Sequence, residues 1–283
     1  MEETTIGELQ SRQRQRLRFW QAYFIMVKEF ILTYGEKEYR VFAWEIMGGG
    51  RILDELHFRH EYKYPLTNGQ MLIEDAKISA IAQKDSHAAG NGFYNIRSLY
   101  FDDYENSCYM DNENGVDERE KYRIRIYNHN IERITLELKE KLRGRTSKRS
   151  CPITVSQCRQ LMKGLIPEDI QPSQQVLHKL AYLMAVKLMR PAVIVDYDRV
   201  PYVYRPLDAN VRVTFDSNIT SVKDVSTFLD EKVYGRGVMP EGCTLMEVKF
   251  DSFLPDEIYS LLQLNGLTAS TFSKYYLCRK FKG

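Results

Sequence analysis

Hydrophobic and polar positions alternate with a period of two in five short stretches of the chain: Phe58–Tyr64, Lys121–Tyr127, Ile134–Lys141, Val211–Asp216 and Leu245–Phe250. Such alternation predicts strands with two unlike faces, because successive side chains of a strand point to opposite sides. Arg59, Glu61 and Lys63 then share a face. So do Arg123 with Arg125, Glu137 with Lys139 and Lys141, Arg212 with Thr214 and Asp216, and Glu247 with Lys249. Further strands are predicted over 96–102, 192–197 and 202–204, giving about eight, enough to close a barrel.

Helical spacing of apolar residues predicts helices over 5–33, 68–84 (with Thr67 or Asn68 as cap), 154–164 and 172–189, and a short one from Pro255. The helix over 172–189 is apolar around most of its circumference, which marks it as well buried. Polar loops are expected over 111–118 and, strongly basic, over 143–149. His129-Asn130 reads as a hairpin turn. Residues 40–57 fit neither period. The domain reading is a helical N-terminal extension over 1–50 and one main domain over 51–283.

The chain has 283 residues, a net charge of only +2 and 28% charged residues. Affinity for a polyanion must therefore come from segregation of charge rather than from excess. Five cysteines without C-x-x-C spacing, and histidines without ligand spacing, point to reduced thiols and away from disulfides or structural zinc. The apolar run Phe19–Leu32 is interrupted by Gln21, Lys28 and Glu29, and it is too short to span a bilayer. It is expected to pack on the body of a cytoplasmic protein without membrane contact. The chain contains no Walker A motif and no G-x-S-x-G nucleophile motif.

The charged strand faces admit two arrangements. In one, apolar faces point inward and charges meet solvent. In the other, the apolar faces pack outward under the helices and the charges line a lumen. Five strands whose charged faces are rich in Arg and Lys favour the second, because the predicted helices need apolar strand faces to rest on. A lumen of cations calls for phosphate, which Arg meets with a planar fork of donors and Lys with a compact charge. Glu61, Glu137 and Glu247 are too few to neutralise the set. They suffice to hold Mg2+ or Mn2+, which takes few carboxylates and fills its shell with water and phosphate. Asp216 is read as a salt-bridge partner of Arg212, and the tyrosines as strand packing.

The ordered set Arg59-His60-Glu61-Tyr62-Lys63-Tyr64, Ser98–Asp102, Tyr122–Tyr127, Leu136–Lys139, Asp198-Arg199, Val211–Asp216, Leu245–Lys249 and Phe272–Tyr275 resembles the VTC domain. This is the catalytic domain of polyphosphate polymerases among the triphosphate tunnel metalloenzymes, which include the CYTH proteins. The resemblance implies an α+β fold: an antiparallel eight-stranded tunnel with helices outside. It implies phosphate-binding roles for Lys63, Arg123, Arg125, Lys139, Lys148, Arg199, Arg212 and Lys274, and a metal-binding role for Glu247. Arg59 and Lys249 join the substrate-binding candidates from the charged faces, and Glu61 and Glu137 the metal candidates. The implied reaction moves the γ-phosphate of ATP onto a polyphosphate chain, with Mn2+ or Mg2+. Two positions depart from the pattern. Arg59-x-Glu61-x-Lys63 stands where the CYTH proteins have Glu-x-Glu-x-Lys, and Thr271 stands where the polymerases have a lysine ahead of Lys274. The alternatives are a tunnel hydrolase acting on triphosphate, nucleoside triphosphate or polyphosphate, and a non-enzymatic polyphosphate-binding module. The near-neutral net charge speaks against a nucleic-acid partner.

Overall fold

The computed structural model describes residues 58–88, 91–206, 210–264 and 266–281. Every alternating stretch becomes a strand of one antiparallel sheet. The long strands are β1 (His60–Thr67), β3 (Tyr94–Asp102), β4 (Arg119–Tyr127), β5 (Asn130–Leu142), β6 (Arg145–Ile153), β7 (Arg190–Tyr204), β8 (Val211–Val222) and β10 (Cys243–Phe250). They run in the order β1-β10-β8-β7-β3-β4-β5-β6. The two-residue strands β2 (Gln83–Lys84) and β9 (Arg236–Gly237) attach to β7 and β8. The sheet curls until its two ends touch at one point, where Arg59 and Thr146 exchange backbone hydrogen bonds of 2.8 and 2.9 Å. Eight strands thus make the expected barrel, closed along the β1–β6 seam by a single bridge.

Among the described residues six helices lie outside: α1 (Asn68–Ile81), α2 (Ser107–Glu113), α3 (Val155–Met162), α4 (Gln175–Val186), α5 (Asp256–Leu264) and α6 (Lys274–Lys280). The outward strand faces are apolar and pack beneath them. Tyr64, Leu66, Val213, Met246 and Val248 form one cluster with Ile78 of α1 and Ile258 of α5. Ile124, Leu136, Leu138, Val193 and Val195 belong to a second cluster with Leu177 and Leu180 of α4. With the apolar faces so used, the charged faces are left to the interior. Helices α1 and α3 start at Thr67 and Thr154. Each threonine caps its helix in a capping box with Gln70 or Gln157, because the threonine oxygen satisfies an otherwise unpaired amide of the first turn.

The structure corrects several boundaries. The basic stretch 143–149 is not a loop. Arg143 and Gly144 turn the chain with φ of 50° and 75°, and β6 follows at once. The predicted strands 192–197 and 202–204 are one strand, β7. Part of the polar stretch over 111–118 belongs to α2, and the C-terminus folds into α6, a helix too short to leave a clear period. The expected helix over 5–33, and the whole extension, lie outside the described residues. Among the described residues no helix is long and apolar enough to cross a membrane.

Candidate functional site

Cross-strand register defines the lumen surface, because directly paired residues share a face. Around one half of the barrel, Lys148 on β6 pairs with Lys139 on β5, and Lys139 with Lys121 on β4. The next rows are Glu137, Arg123 and Tyr100, then Thr135, Arg125 and Ser98. Around the other half, Glu61 pairs with Lys249 and Lys249 with Arg212. Lys63 pairs with Glu247 and Glu247 with Thr214. Asp216 pairs with Arg199, and Arg199 with Tyr94.

The carboxylates are each shared among several cations. Glu137 accepts from Arg123 Nε at 2.7 Å and from Lys148 at 3.2 Å, with Arg125 at 3.5 Å. Glu61 accepts from Lys139 at 2.8 and 2.9 Å, across the lumen from β5 to β1, with Lys249 at 3.6 Å and Lys63 at 3.9 Å. Glu247 is reached by Lys274 at 2.7 Å, Lys249 at 3.1 Å and Arg199 at 3.4 Å. Asp216 forms a two-pronged pair with Arg199 at 2.6 and 2.7 Å and lies 2.5 Å from Lys274. Burial alone would raise these acids. The surrounding ammonium and guanidinium groups outweigh it and hold all four below the ordinary carboxylate range.

The lysines are less well compensated. Burial, opposed by Glu61 but reinforced by Lys63 and Lys249, brings Lys139 down to about 7. Lys274 goes the other way, raised because Asp216 and Glu247 overcome its burial.

This charged interior belongs to a chain whose residues 58–281 match the family model of the VTC domain. The chain belongs to the VTC domain family. Among solved structures, the VTC chain is similar to a candidate adenylate cyclase from Bacillus halodurans, at 11% identity and a TM-score of 0.47, over 80% of this chain and 99% of that one. It is also similar to a candidate adenylyl cyclase from Hippeastrum, described as having a dominant triphosphatase activity. That likeness has 15% identity and a TM-score of 0.43, over 79% of this chain and 95% of the other. No curated protein sequence matches.

In this VTC domain the lumen gathers Lys63, Arg123, Arg125, Lys139, Lys148, Arg199, Arg212, Lys249 and Lys274. Arg59 lies at the rim, paired with Asp251 at 2.8 Å. Glu61 and Glu247 come together, sharing Lys249. Glu137 lies apart, among Arg123, Arg125 and Lys148. Among the described residues no three His, Cys, Asp or Glu side chains form a metal-binding group.

The predicted Asp216–Arg212 bridge is not formed. Asp216 belongs to Arg199 and Lys274, while Arg212 bonds Asp85 at 2.8 Å and the Tyr94 hydroxyl at 2.7 Å. Tyr100 likewise accepts from Arg123 at 2.9 Å. These tyrosines aim guanidinium groups as well as pack, a role that strand periodicity does not reveal. Among the described residues two buried lumen atoms, Arg212 Nε and Thr214 Oγ1, have no hydrogen-bond partner. Lys121, absent from the sequence-based site residues, shares the parity of Arg123 and Arg125 and so lies on the same face. Nothing in the sequence marked Asp85 as the partner of Arg212.

Proposed function

We propose that the lumen binds phosphate chains and transfers the γ-phosphate of ATP onto inorganic polyphosphate. The observation that carries this reading is the charge imbalance of one continuous inner face. Ten cations (Lys63, Lys121, Arg123, Arg125, Lys139, Lys148, Arg199, Arg212, Lys249 and Lys274) meet only five carboxylates (Glu61, Asp85, Glu137, Asp216 and Glu247). Such an excess is costly in a desolvated interior unless an anion fills it. A linear anion with one charge per phosphate suits cations spread over seven strands and α6.

Phosphoryl transfer needs no protein nucleophile, so positioning and charge stabilisation are the tasks left to the chain. Arg123, Arg125, Arg199 and Arg212, held in place by Glu137, Asp216, Tyr100 and Tyr94, present fixed donors to phosphoryl oxygens. Lys63, Lys139, Lys148 and Lys274 add compact charge. A terminal oxygen of the acceptor chain attacks the γ-phosphorus. The bond from that phosphorus to the β–γ bridging oxygen breaks, and ADP leaves with the electron pair.

Glu61 and Glu247 fit a divalent ion, being neighbouring hard oxygen donors that stay ionised, and they are the residues that would hold it. Bound Mg2+ or Mn2+ would neutralise phosphate charge.

The test is incubation of the protein with ATP and Mg2+ or Mn2+, with products resolved by gel. A metal-dependent polyphosphate ladder with matching ADP supports the polymerase. Free phosphate or pyrophosphate without a ladder assigns the lumen to hydrolysis. Polyphosphate binding without turnover leaves a binding module. Glu247→Gln is expected to lose turnover and retain nucleotide binding, and full activity in that variant would remove Glu247 as a metal ligand.

A further inference from the structure

Lys121 differs from every other lysine of the lumen. Lys63, Lys139, Lys148, Lys249 and Lys274 each have a carboxylate within ion-pair distance. Among the described residues Lys121 has none. Its ammonium group donates to Asn112 Oδ1 at 2.9 Å and Ser273 Oγ at 3.3 Å, two neutral oxygens, and lies 5.1 Å from the centre of the Tyr275 ring.

The groups around Lys121 are known from each side. Arg119 lies along its own strand, Lys139 on β5 and Lys63 on β1, all three cations. Cys108 and Asn112 come from α2, and Ser273 and Tyr275 from the start of α6. One of these neighbours, Lys63, is anchored to the same short segment by two bonds. Lys63 Nζ donates to the Phe272 carbonyl at 2.7 Å, and the Ser270 amide donates to the Lys63 carbonyl at 2.8 Å. Lys63 and Lys121 therefore converge from two strands on residues 270–273, with Lys139 a third cation beside them.

We infer that Lys121 is a phosphate-contacting residue of the lumen, holding a segment of the polyanion between β4, β5 and the turn into α6. This rests on the reading of the lumen as a phosphate-chain site and adds a ligand-binding residue to it. Among the described residues the ammonium meets neutral dipoles and the Tyr275 ring, and a phosphate oxygen would give it an anionic partner. Burial first, and then Arg119 and Lys139, bring Lys121 down to about 7. The anion reverses that balance, so binding near neutral pH is accompanied by proton uptake.

The experiment is isothermal titration with inorganic tripolyphosphate at pH 7.5, in two buffers of different ionisation heat, on wild type, Lys121→Met and Lys121→Arg. Wild type is expected to bind and to take up protons. Lys121→Met is expected to bind about tenfold or more weakly, as for loss of a charge-assisted hydrogen bond, with reduced uptake and no loss of melting temperature. Lys121→Arg is expected to bind with reduced uptake, its cation being permanent, and it decides the matter if the methionine variant does not fold. Wild-type binding with unchanged affinity and uptake in both variants overturns the role of Lys121 alone. Failure of wild type to bind tripolyphosphate overturns the phosphate-chain reading itself, and this inference with it.

Discussion

Asp216 offers a direct measure of how the lumen balances its charges. It is fully buried, grips Arg199 at 2.6 and 2.7 Å and lies 2.5 Å from Lys274. Asp216→Asn keeps the shape, removes the charge and turns a new N–H toward one cation. Breaking a buried pair by removing one partner costs about 3–5 kcal/mol, because the remaining charge is stranded. Here Glu247 remains, 2.7 Å from Lys274 and 3.4 Å from Arg199, and takes over part of the compensation. The expected loss is therefore near the lower limit, about 3 kcal/mol. For a domain of this size each kcal/mol moves the melting temperature by about 2–4 °C, so Asp216→Asn should melt about 6–12 °C below wild type. The assay is scanning calorimetry with and without tripolyphosphate. The variant lumen carries one more uncompensated positive charge, so the bound anion should narrow the gap. A variant melting within about 2 °C of wild type would show that desolvation cancels the pair, and the reasoning would be wrong.

Three further outcomes can be checked. The carboxylates Glu61, Glu137, Asp216 and Glu247 are all held low, so their contribution is complete above the unfolded carboxylate pKa of about 4 and is lost as pH falls toward their folded values. Urea midpoints should fall slightly just below pH 7, as Lys121 and Lys139 take up the last of their protons, then stay level to about pH 5 and drop below it, less steeply in Asp216→Asn. Arg123→Ala and Lys148→Ala remove two of the cations around Glu137, but Arg123 is 13% exposed and Lys148 53%. By calorimetric titration the arginine variant should lose about tenfold or more in tripolyphosphate affinity, and by melting the lysine variant should change stability by less than about 1 kcal/mol. Thr67→Ala dismantles the capping box of α1 and should cost about 1 kcal/mol in urea denaturation, with phosphate binding unchanged.

The inward face was legible wherever a strand alternated cleanly, as at Lys121–Tyr127 and Leu245–Phe250, because a period of two ties each residue to a side of the sheet. The cap at Thr67 was legible for the same local reason. Failures came where local pattern and tertiary context parted. Residues 143–149 are too polar to read as a strand, yet β6 forms at the singly bridged seam with β1, where Lys148 and Ser150 meet solvent. Asp216 sits four residues from Arg212, and proximity along the chain suggested a bridge. An even spacing keeps both on one face, but the register sets Arg199 beside Asp216 and Lys249 beside Arg212. Which cation each acid takes is a property of neighbouring strands, and a single sequence does not carry register between distant segments.

The joining of β1 to the turn before α6 has a consequence for biogenesis. The Lys63–Phe272 bond spans 209 positions, whereas β3 to β6 are built from neighbouring segments. During translation the hairpins can form as they emerge, but Lys274 reaches Asp216 and Glu247 only after every strand of the barrel and α6 have left the ribosome. Until then the two buried acids have Arg199 but lack Lys274, and the phosphate site is incomplete. Ligand binding is thereby coupled to the docking of α6, and the long loop to be closed makes that docking the natural slow step of folding.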